Sequence, residues 1–311
     1  MGRLVAMRGK AIEREPATVH WWPRHDGDAA HIDWPVGRRM QIAMTSSRAA
    51  ALAAGALSLL SAAPARAQLD YRNLDDDRPT LIEDAYPVER YAFEFLAPYR
   101  YEHEVDGADL HLTVPELEYG FMPNAEAGIR VPFAAVRVAG NTDWGVAGTK
   151  GFVLYNLNTE GATLPALSLR TDVSLPVGSL AGDDVRASLK LIATRSWGRN
   201  RIHVNVSRGF GSEDGLARVE AIDRWTYGAA LDRTLFRQSI LALAEVYGRQ
   251  PVASAPTEIN ASLGARYQLG TSTVLDAGLS RRLRSSIGPD IALTFGFSWA
   301  FAMTGFMPGA Q

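Results

Sequence analysis

The sequence predicts an all-β protein, a transmembrane antiparallel up-and-down β-barrel of about 12 strands. Three observations predict it: segments that alternate apolar and polar residues, connections whose lengths alternate along the chain, and no apolar run of about twenty residues after residue 67. A barrel strand crosses a membrane with about ten residues, whereas a helix needs about twenty. The fold class therefore follows from the period of two, not from the mean hydropathy.

The first 67 residues predict a targeting segment that precedes the fold. Three arginines between residues 38 and 48 form a basic head, residues 49–63 are apolar, and residues 65–67 form a small-residue cleavage site. These are the parts of a secretory signal peptide, which we place at 40–67 with cleavage after Ala67. Residues 1–39 are then an over-extended gene-model start, with translation beginning at Met40 or Met44. A natural extension that delays export is the alternative.

The mature chain that begins at Gln68 has 29 acidic and 23 basic residues and no cysteine. This balance gives no indication of a nucleic-acid partner. Acidic residues are concentrated at 75–77 and 83–84. We interpret residues 68–90 as an acidic periplasmic lead-in, a solvated strap. Calcium binding and a plug inserted in the barrel mouth are the alternatives.

Alternating segments fill residues 91–301, and their number is even, as single-chain bacterial barrels require. The last segment, Ile291–Phe301, has large apolar residues at every odd position and small residues at every even one, which a strand places on opposite faces. A sandwich-core strand is the alternative for this segment alone. In 237–249 both sets of alternate positions contain apolar residues, so the sequence does not show which set points outward. The segments are 91–101, 109–121, 125–137, 142–156, 163–175, 184–194, 201–207, 219–232, 237–249, 257–270, 272–283 and 291–301.

Connection lengths and aromatic residues support a barrel over a sandwich. If both termini lie in the periplasm, the short connections at 122–124, 197–200 and 270–271 share the periplasmic side, and the longer ones at 178–183, 211–216 and 249–256 share the other. Aromatic residues near the segment ends fit two interfacial girdles, although strands favour aromatics anywhere. They are Tyr99, Tyr119, Trp144, Trp197, Trp225, Tyr247, Tyr267 and Trp299.

The alternation predicts a charged lumen, lined by Glu126, Arg130, Arg170, Asp172, Arg186, Lys190, Arg224, Asp232, Glu258, Arg266 and Asp276. One interpretation is a network of paired charges around a watery interior. The other is a selectivity lining whose basic residues attract a carboxylate such as an aromatic acid. The candidates for this lining are Arg130, Arg170, Arg186, Lys190, Arg266, Glu258 and Asp172. Twelve strands enclose a bore between filled eight-stranded barrels and open sixteen-stranded porins, so the lumen is narrow or plugged.

Several motifs stand out beyond the alternation. A hairpin motif, ELEYGFMPNAEAGIRVPF, lies at Glu116–Phe133, and AEVYG lies at Ala244–Gly248. The C-terminal hairpin is Ser280–Phe301, and the lead-in contains Arg78–Ala85. Together they resemble a family of outer-membrane transporters named after a phenol meta-cleavage degradation pathway. The resemblance covers about 70–301 and implies a single barrel, a role as transporter assigned through catabolic genes, and no catalytic residues. One departure is the C-terminal extension 302–311, because barrel-assembly machinery usually finds the terminal aromatic residue at the chain end.

We predict an outer-membrane channel or transporter of a Gram-negative bacterium for passive passage of small, aromatic or anionic, solutes. A barrel-embedded lipid-modifying enzyme and a structural or adhesive surface barrel are the alternatives. His203 and Ser207 lie on one face of one strand but roughly 13 Å apart by strand rise, too far to act as base and nucleophile. No catalytic residue, cofactor or metal is therefore predicted. The expected partners are outer-membrane lipids, the barrel-assembly machinery and a small-molecule solute, and the sequence leaves the oligomeric state open.

Overall fold

The computed structural model describes residues 64–65, 67–211, 223–252, 256–285 and 288–307. Across these residues, twelve antiparallel strands form one closed barrel, because the last strand pairs with the first as well as with the eleventh. The predicted fold class is thereby confirmed. The strands are β1 (Ala92–Leu96 and Tyr99–Glu104), β2 (Asp109–Thr113 and Glu116–Met122), β3 (Ala125–Arg130 and Phe133–Val138), β4 (Asn141–Val146 and Thr149–Asn158), β5 (Ala166–Leu175), β6 (Arg186–Trp197), β7 (Asn200–Phe210), β8 (Arg224–Leu235), β9 (Ile240–Pro251), β10 (Glu258–Gly270), β11 (Thr273–Arg284) and β12 (Pro289–Met303).

Helical structure is minor in the described residues. A single turn, α1 (Phe236–Ser239), joins β8 to β9, and a 3-10 turn, Thr304–Phe306, follows β12. None of the described helices is long and apolar enough to cross a membrane. The predicted chain start at 1–39 and the predicted signal peptide, apart from residues 64, 65 and 67, lie outside the described residues.

The two faces of the wall differ as the alternation predicts. On β12, Phe295 is 53% exposed on the outer face, whereas the inward Ser298 is fully buried. The outer face of β10 likewise exposes Leu263, and its inner face buries Arg266. Because consecutive residues of a strand point to opposite sides, one sequence supplies an apolar exterior and a charged interior.

The first four strands are each interrupted at the same level of the wall. Pro98, Pro115 and Pro132 stand at the interruptions of β1, β2 and β3, and Gly148, with φ +95°, stands at that of β4. The prolines are neighbours: Val114 donates its N–H to the carbonyl of Pro98 at 3.3 Å, and residue 131 does the same to Pro115 at 3.1 Å. A proline has no N–H to give to the ladder, so a row of prolines interrupts the ladder at one level of this part of the wall.

The side chains of β9 do not point as the predicted aromatic girdle requires. On β9, Leu241, Leu243, Glu245 and Tyr247 all point inward and are buried. The prediction that Tyr247 belongs to an interfacial girdle is therefore wrong. Its ring lies inside the barrel, where the Arg249 guanidinium is 5.2 Å from the ring centroid. The sequence could not decide this because both phases of the strand contain apolar residues.

The connections and the chain end complete the barrel. Short connections at 123–124, 198–199 and 271–272 share the end that carries the termini, although 159–165 at the same end is longer. β5, β7 and β9 end at the opposite end of the barrel, where 176–185 is long but 139–140, between β3 and β4, is only two residues. Phe306 of the tail packs edge-on against Phe93, with 5.3 Å between ring centroids. Residues 64–65 pair with the end of β12, and a mature chain that begins at Gln68 lacks this pairing.

Candidate functional site in the barrel lumen

The segment 67–88, hereafter the plug, lies inside the barrel. Leu74, Ile82 and Ala85 are almost completely buried. The N–H groups of Leu81 and Ile82 each donate a hydrogen bond of 2.9 Å to the Glu245 carboxylate on β9. The interpretation of this segment as a solvated periplasmic strap is wrong, and the structure matches the plug alternative.

Side chains from strands around the wall bind the backbone of the plug. The Glu83 N–H donates to Asn205 Oδ1 at 2.8 Å, and the Ala85 N–H donates to Thr194 Oγ1 at 3.0 Å. The N–H of Val88 donates to Glu126 at 2.5 Å. An irregular segment makes few backbone hydrogen bonds of its own, so burial requires such partners. The inward polar residues therefore act partly as a cradle for the plug.

The centre of the plug is a loop, 74–84, whose base is closed and whose tip contacts glycines. The Asp84 N–H donates to the Leu74 carbonyl at 3.1 Å. Pro79 lies against Gly264 and Gly278, and a Cβ at Gly278 would come within 2.3 Å of the Pro79 carbonyl oxygen. Any larger side chain at Gly278 would force the plug or the wall to shift.

The loop brings acidic groups to the basic residues of the wall. Glu83 accepts from Arg170 at 2.6 Å and from Lys190 at 2.8 Å. Asp76 accepts from Lys190 at 2.5 Å and from Arg130 at 2.8 Å. We call these five residues the bridging cluster. Three of its members, Arg130, Arg170 and Lys190, are predicted site residues that the fold brings together.

Burial acts on the two carboxyls of the bridging cluster with different results. Burial raises the pKa of the Glu83 carboxyl, and the attraction of Arg170 and Lys190 does not fully offset it. Burial also disfavours ionised Asp76, but Lys190, Arg130 and Arg170 together hold the pKa of Asp76 well below its usual range. Asp76 is therefore the firmly ionised anion of the cluster.

The wall adds further partners to the cluster. Arg130 also contacts Glu116 at 2.5 Å, and Arg170 contacts the predicted site residue Asp172 at 3.1 Å. The Phe152 ring lies beside both guanidiniums, with its centroid 3.6 Å from Arg170 and 5.1 Å from Arg130. Such cation–π contacts stabilise cations in a desolvated site.

The other predicted site residues lie apart from the bridging cluster. Arg266 contacts the plug through the Asn73 carbonyl and through Asp75, whose carboxylate also binds Arg78. Glu258 contacts Arg249 at 3.5 Å, on other strands of the wall. The predicted lining is thus divided between plug contacts and wall contacts.

The plug separates two cavities of the lumen that share no lining residue. One, of about 180 Å³, is lined by Leu81 and Ile82 of the plug and by seven basic and four acidic wall and plug residues, including Arg186 and Lys190. The other, of about 270 Å³, lies towards the terminal end, between the base of the plug and the wall, and includes Arg201 and Glu94. We call them the basic cavity and the terminal cavity.

A histidine contact also supports the plug. His203 Nδ1 lies 3.0 Å from Thr194 Oγ1, and its Nε2 lies 2.9 Å from Asp232. All three side chains are buried, and the Thr194 hydroxyl accepts the Ala85 N–H of the plug. His203 therefore points into the lumen, and its hydroxyl partner is Thr194 of the neighbouring strand.

The acidic half of the site was not predicted from the sequence. Asp75, Asp76, Glu83 and Asp84 all contact basic residues of the wall. The sequence does contain an indication of this contact. The adjacent strands β5 and β6 carry Arg170, Lys190 and Arg186 with few acidic residues to pair with them, whereas the lead-in is rich in acidic residues. Opposite charges in two separate parts of a chain indicate a contact only when the fold is known.

The architecture is similar to that of solved outer-membrane barrels. An outer membrane channel from Pseudomonas putida F1 aligns with a TM-score of 0.53 and 15% sequence identity, over 70% of this chain and 98% of that one. The fold is that of an outer-membrane β-barrel. A KdgM porin in complex with disordered oligogalacturonate aligns at a TM-score of 0.48 and 10% identity, over 66% of this chain and 98% of that one. No family model and no curated protein matches the sequence.

Proposed function

We propose that the protein is a passive outer-membrane channel for small anionic solutes whose resting lumen is closed by the plug. The observation that carries the proposal is a closed barrel with an apolar exterior, a charged interior and one cavity on each side of the plug. Its surroundings are then outer-membrane lipids, because exposed apolar side chains over a whole wall require an apolar solvent. The barrel-assembly machinery would insert it there.

The solute class follows from the basic cavity. Its excess of basic residues favours anions, and arginine binds carboxylates through a planar pair of donors. A volume of about 180 Å³ is close to that of an apolar protein cavity that takes up benzene. Small aromatic carboxylates therefore fit both charge and size. The resemblance to transporters named after a phenol meta-cleavage pathway supports the same class.

The test is to excise the plug loop. We would replace Asp75–Glu83 by two glycines, because the hydrogen bond between Asp84 and Leu74 already holds the cut ends together and a two-residue turn suits that spacing. In planar bilayers, we expect rare openings for the unaltered mature protein and steady, anion-selective steps for the excised variant.

The control for selectivity keeps the excision and adds Arg186→Gln and Lys190→Gln. We expect the reversal potential in a salt gradient to move towards that of an unselective pore, and benzoate to block the parent more strongly than this variant. An excised barrel that folds but conducts nothing, or that prefers cations, would overturn the proposed function.

An enzymatic function is the second candidate, because Thr194, His203 and Asp232 form a hydrogen-bonded series. The plug occupies the place a substrate would need, since Ala85 hydrogen-bonds the Thr194 hydroxyl. We propose that the series docks the plug and catalyses nothing. Hydrolysis of phospholipid vesicles by the wild type that is lost in His203→Ala would favour the enzyme instead.

A further inference from the structure

Three buried carboxylates meet where the plug contacts the first two strands. They are Asp75 of the plug, Glu94 of β1 and Glu118 of β2, all nearly inaccessible to solvent. One carboxylate oxygen of each lies within 4.8 Å of the others. Among the described residues, this is a group of acids whose oxygens converge closely enough to share one cation.

The strand register places two of these charges against each other. Glu94 and Glu118 are direct partners in the ladder between β1 and β2, and both point into the lumen. Like charges directly opposite each other destabilise a sheet, and burial increases the repulsion. The pairing therefore needs a compensating positive charge.

Two guanidiniums lie nearby and contact Asp75, and that of Arg78 also contacts Asp276 at 3.7 Å. Arg78 binds one Asp75 oxygen, Oδ2, and Arg266 lies 3.3 Å from the same oxygen. Each of the two glutamates also has an oxygen with no hydrogen-bond partner in the described part of the chain, Oε1 of Glu94 and Oε2 of Glu118. Buried polar atoms are almost always satisfied, so an unpartnered carboxylate oxygen indicates a ligand.

We propose that Asp75, Glu94 and Glu118 bind a calcium ion that ties the plug to β1 and β2. Calcium takes six to eight oxygen ligands in flexible geometry, so three carboxylate oxygens within 4.8 Å of one another can share one ion. Magnesium demands octahedral geometry and usually keeps several of its waters, so it is seldom held by a cage of protein carboxylates. The convergence of three carboxylates therefore favours calcium. Water completes the coordination.

The effect of calcium on the channel rests on the proposed function. If the plug closes the channel, the channel becomes easier to open when calcium is removed. The ion links one plug residue to two wall residues, and its loss would leave three carboxylates repelling one another. Calcium binding itself is measured without any conductance, so the site and the channel can fail separately.

The experiment is calcium titration of the mature protein in detergent after treatment with a chelator. Calorimetry should show one calcium ion per barrel, and calcium should raise the unfolding temperature. Glu118→Gln, which keeps the shape and removes the charge, should abolish both effects, and Glu94→Gln should do the same. The matched control is Glu102→Gln, a buried wall carboxylate paired with Arg100 at 2.6 Å, which should keep them.

Two results would overturn the proposal. One is an absence of calcium heat and of a thermal shift in folded wild-type protein. The other is an unchanged calcium response in both Glu118→Gln and Glu94→Gln. If Glu118→Gln in chelator is as stable as the wild type and calcium does nothing to either, a shared proton holds the cluster together and calcium does not.

Discussion

Asp76→Asn provides a direct test of how the plug is held. The change keeps the size of the side chain and removes the charge that bridges Lys190 and Arg130. Breaking a buried ion pair costs about 3–5 kcal/mol when the partner is left alone. Here Lys190 keeps Glu83 at 2.8 Å and Arg130 keeps Glu116 at 2.5 Å, so we expect the lower end, about 3 kcal/mol.

That free energy sets the expected change in plug position. Each 1.4 kcal/mol is a factor of ten in an equilibrium, so the undocked fraction should rise about a hundredfold. The chain has no cysteine, which allows a single reporter thiol to be placed in the plug. Thr80→Cys is suitable, because Thr80 is buried and its hydroxyl has no hydrogen-bond partner among the described residues.

The assay is the rate at which a water-soluble maleimide labels this thiol in folded, heat-modifiable protein. We expect labelling about a hundredfold faster with Asp76→Asn than without it. The matched control is Asp290→Asn, a half-exposed carboxylate paired with Arg282 at 3.1 Å, which should change the rate little. Equal labelling rates for all three proteins would refute the view that the bridging cluster holds the plug in the lumen.

Three further predictions concern acid, packing and lipid. Folding lowers the pKa of Asp76, so this carboxylate stabilises the docked plug at a pH above its unfolded pKa of about 4. That stabilisation is lost as the pH falls through the lowered pKa. Bilayer conductance of the wild type should therefore rise below about pH 4, and that of Asp76→Asn should depend less on acid. Gly278→Ala should loosen the plug by about 1–3 kcal/mol through overpacking and speed thiol labelling, whereas Gly151→Ala, with a nearest contact of 3.9 Å, should not. A spin label at Leu263 should be accessible to oxygen in the bilayer and one at Ser262 should not; water contact at Leu263 would contradict the barrel.

The fold was predictable because strand faces depend on local geometry. Residues 291–301 alternate without exception, and the period of two alone assigns Phe297 to the outside and Ser298 to the inside. The same reasoning placed Arg170 and Lys190 in the lumen. It could not assign Tyr247, where both phases of the strand are apolar, because burial there depends on what lies inside the barrel.

The sequence also shows the regular spacing of the prolines that interrupt the first strands, but not that these prolines are neighbours in the wall. Pro98, Pro115 and Pro132 recur every 17 residues. Whether they become neighbours depends on the register of three strands, and only the hydrogen bond from Val114 to Pro98 and its equivalent at Pro115 show that they do.

The sequence by itself determined the alternation, the strand number and which charges face inward, since each follows from neighbouring residues. Tertiary structure alone decided where the acidic lead-in lies and what those charges do. Glu83 is buried and Asp76 is largely enclosed because Arg130, Arg170 and Lys190 reach them from three separate strands. The local sequence of a polar segment beside an open barrel mouth does not determine whether it lies in solvent or in the lumen. Its position depends on electrostatic contacts with residues that are far away in the sequence.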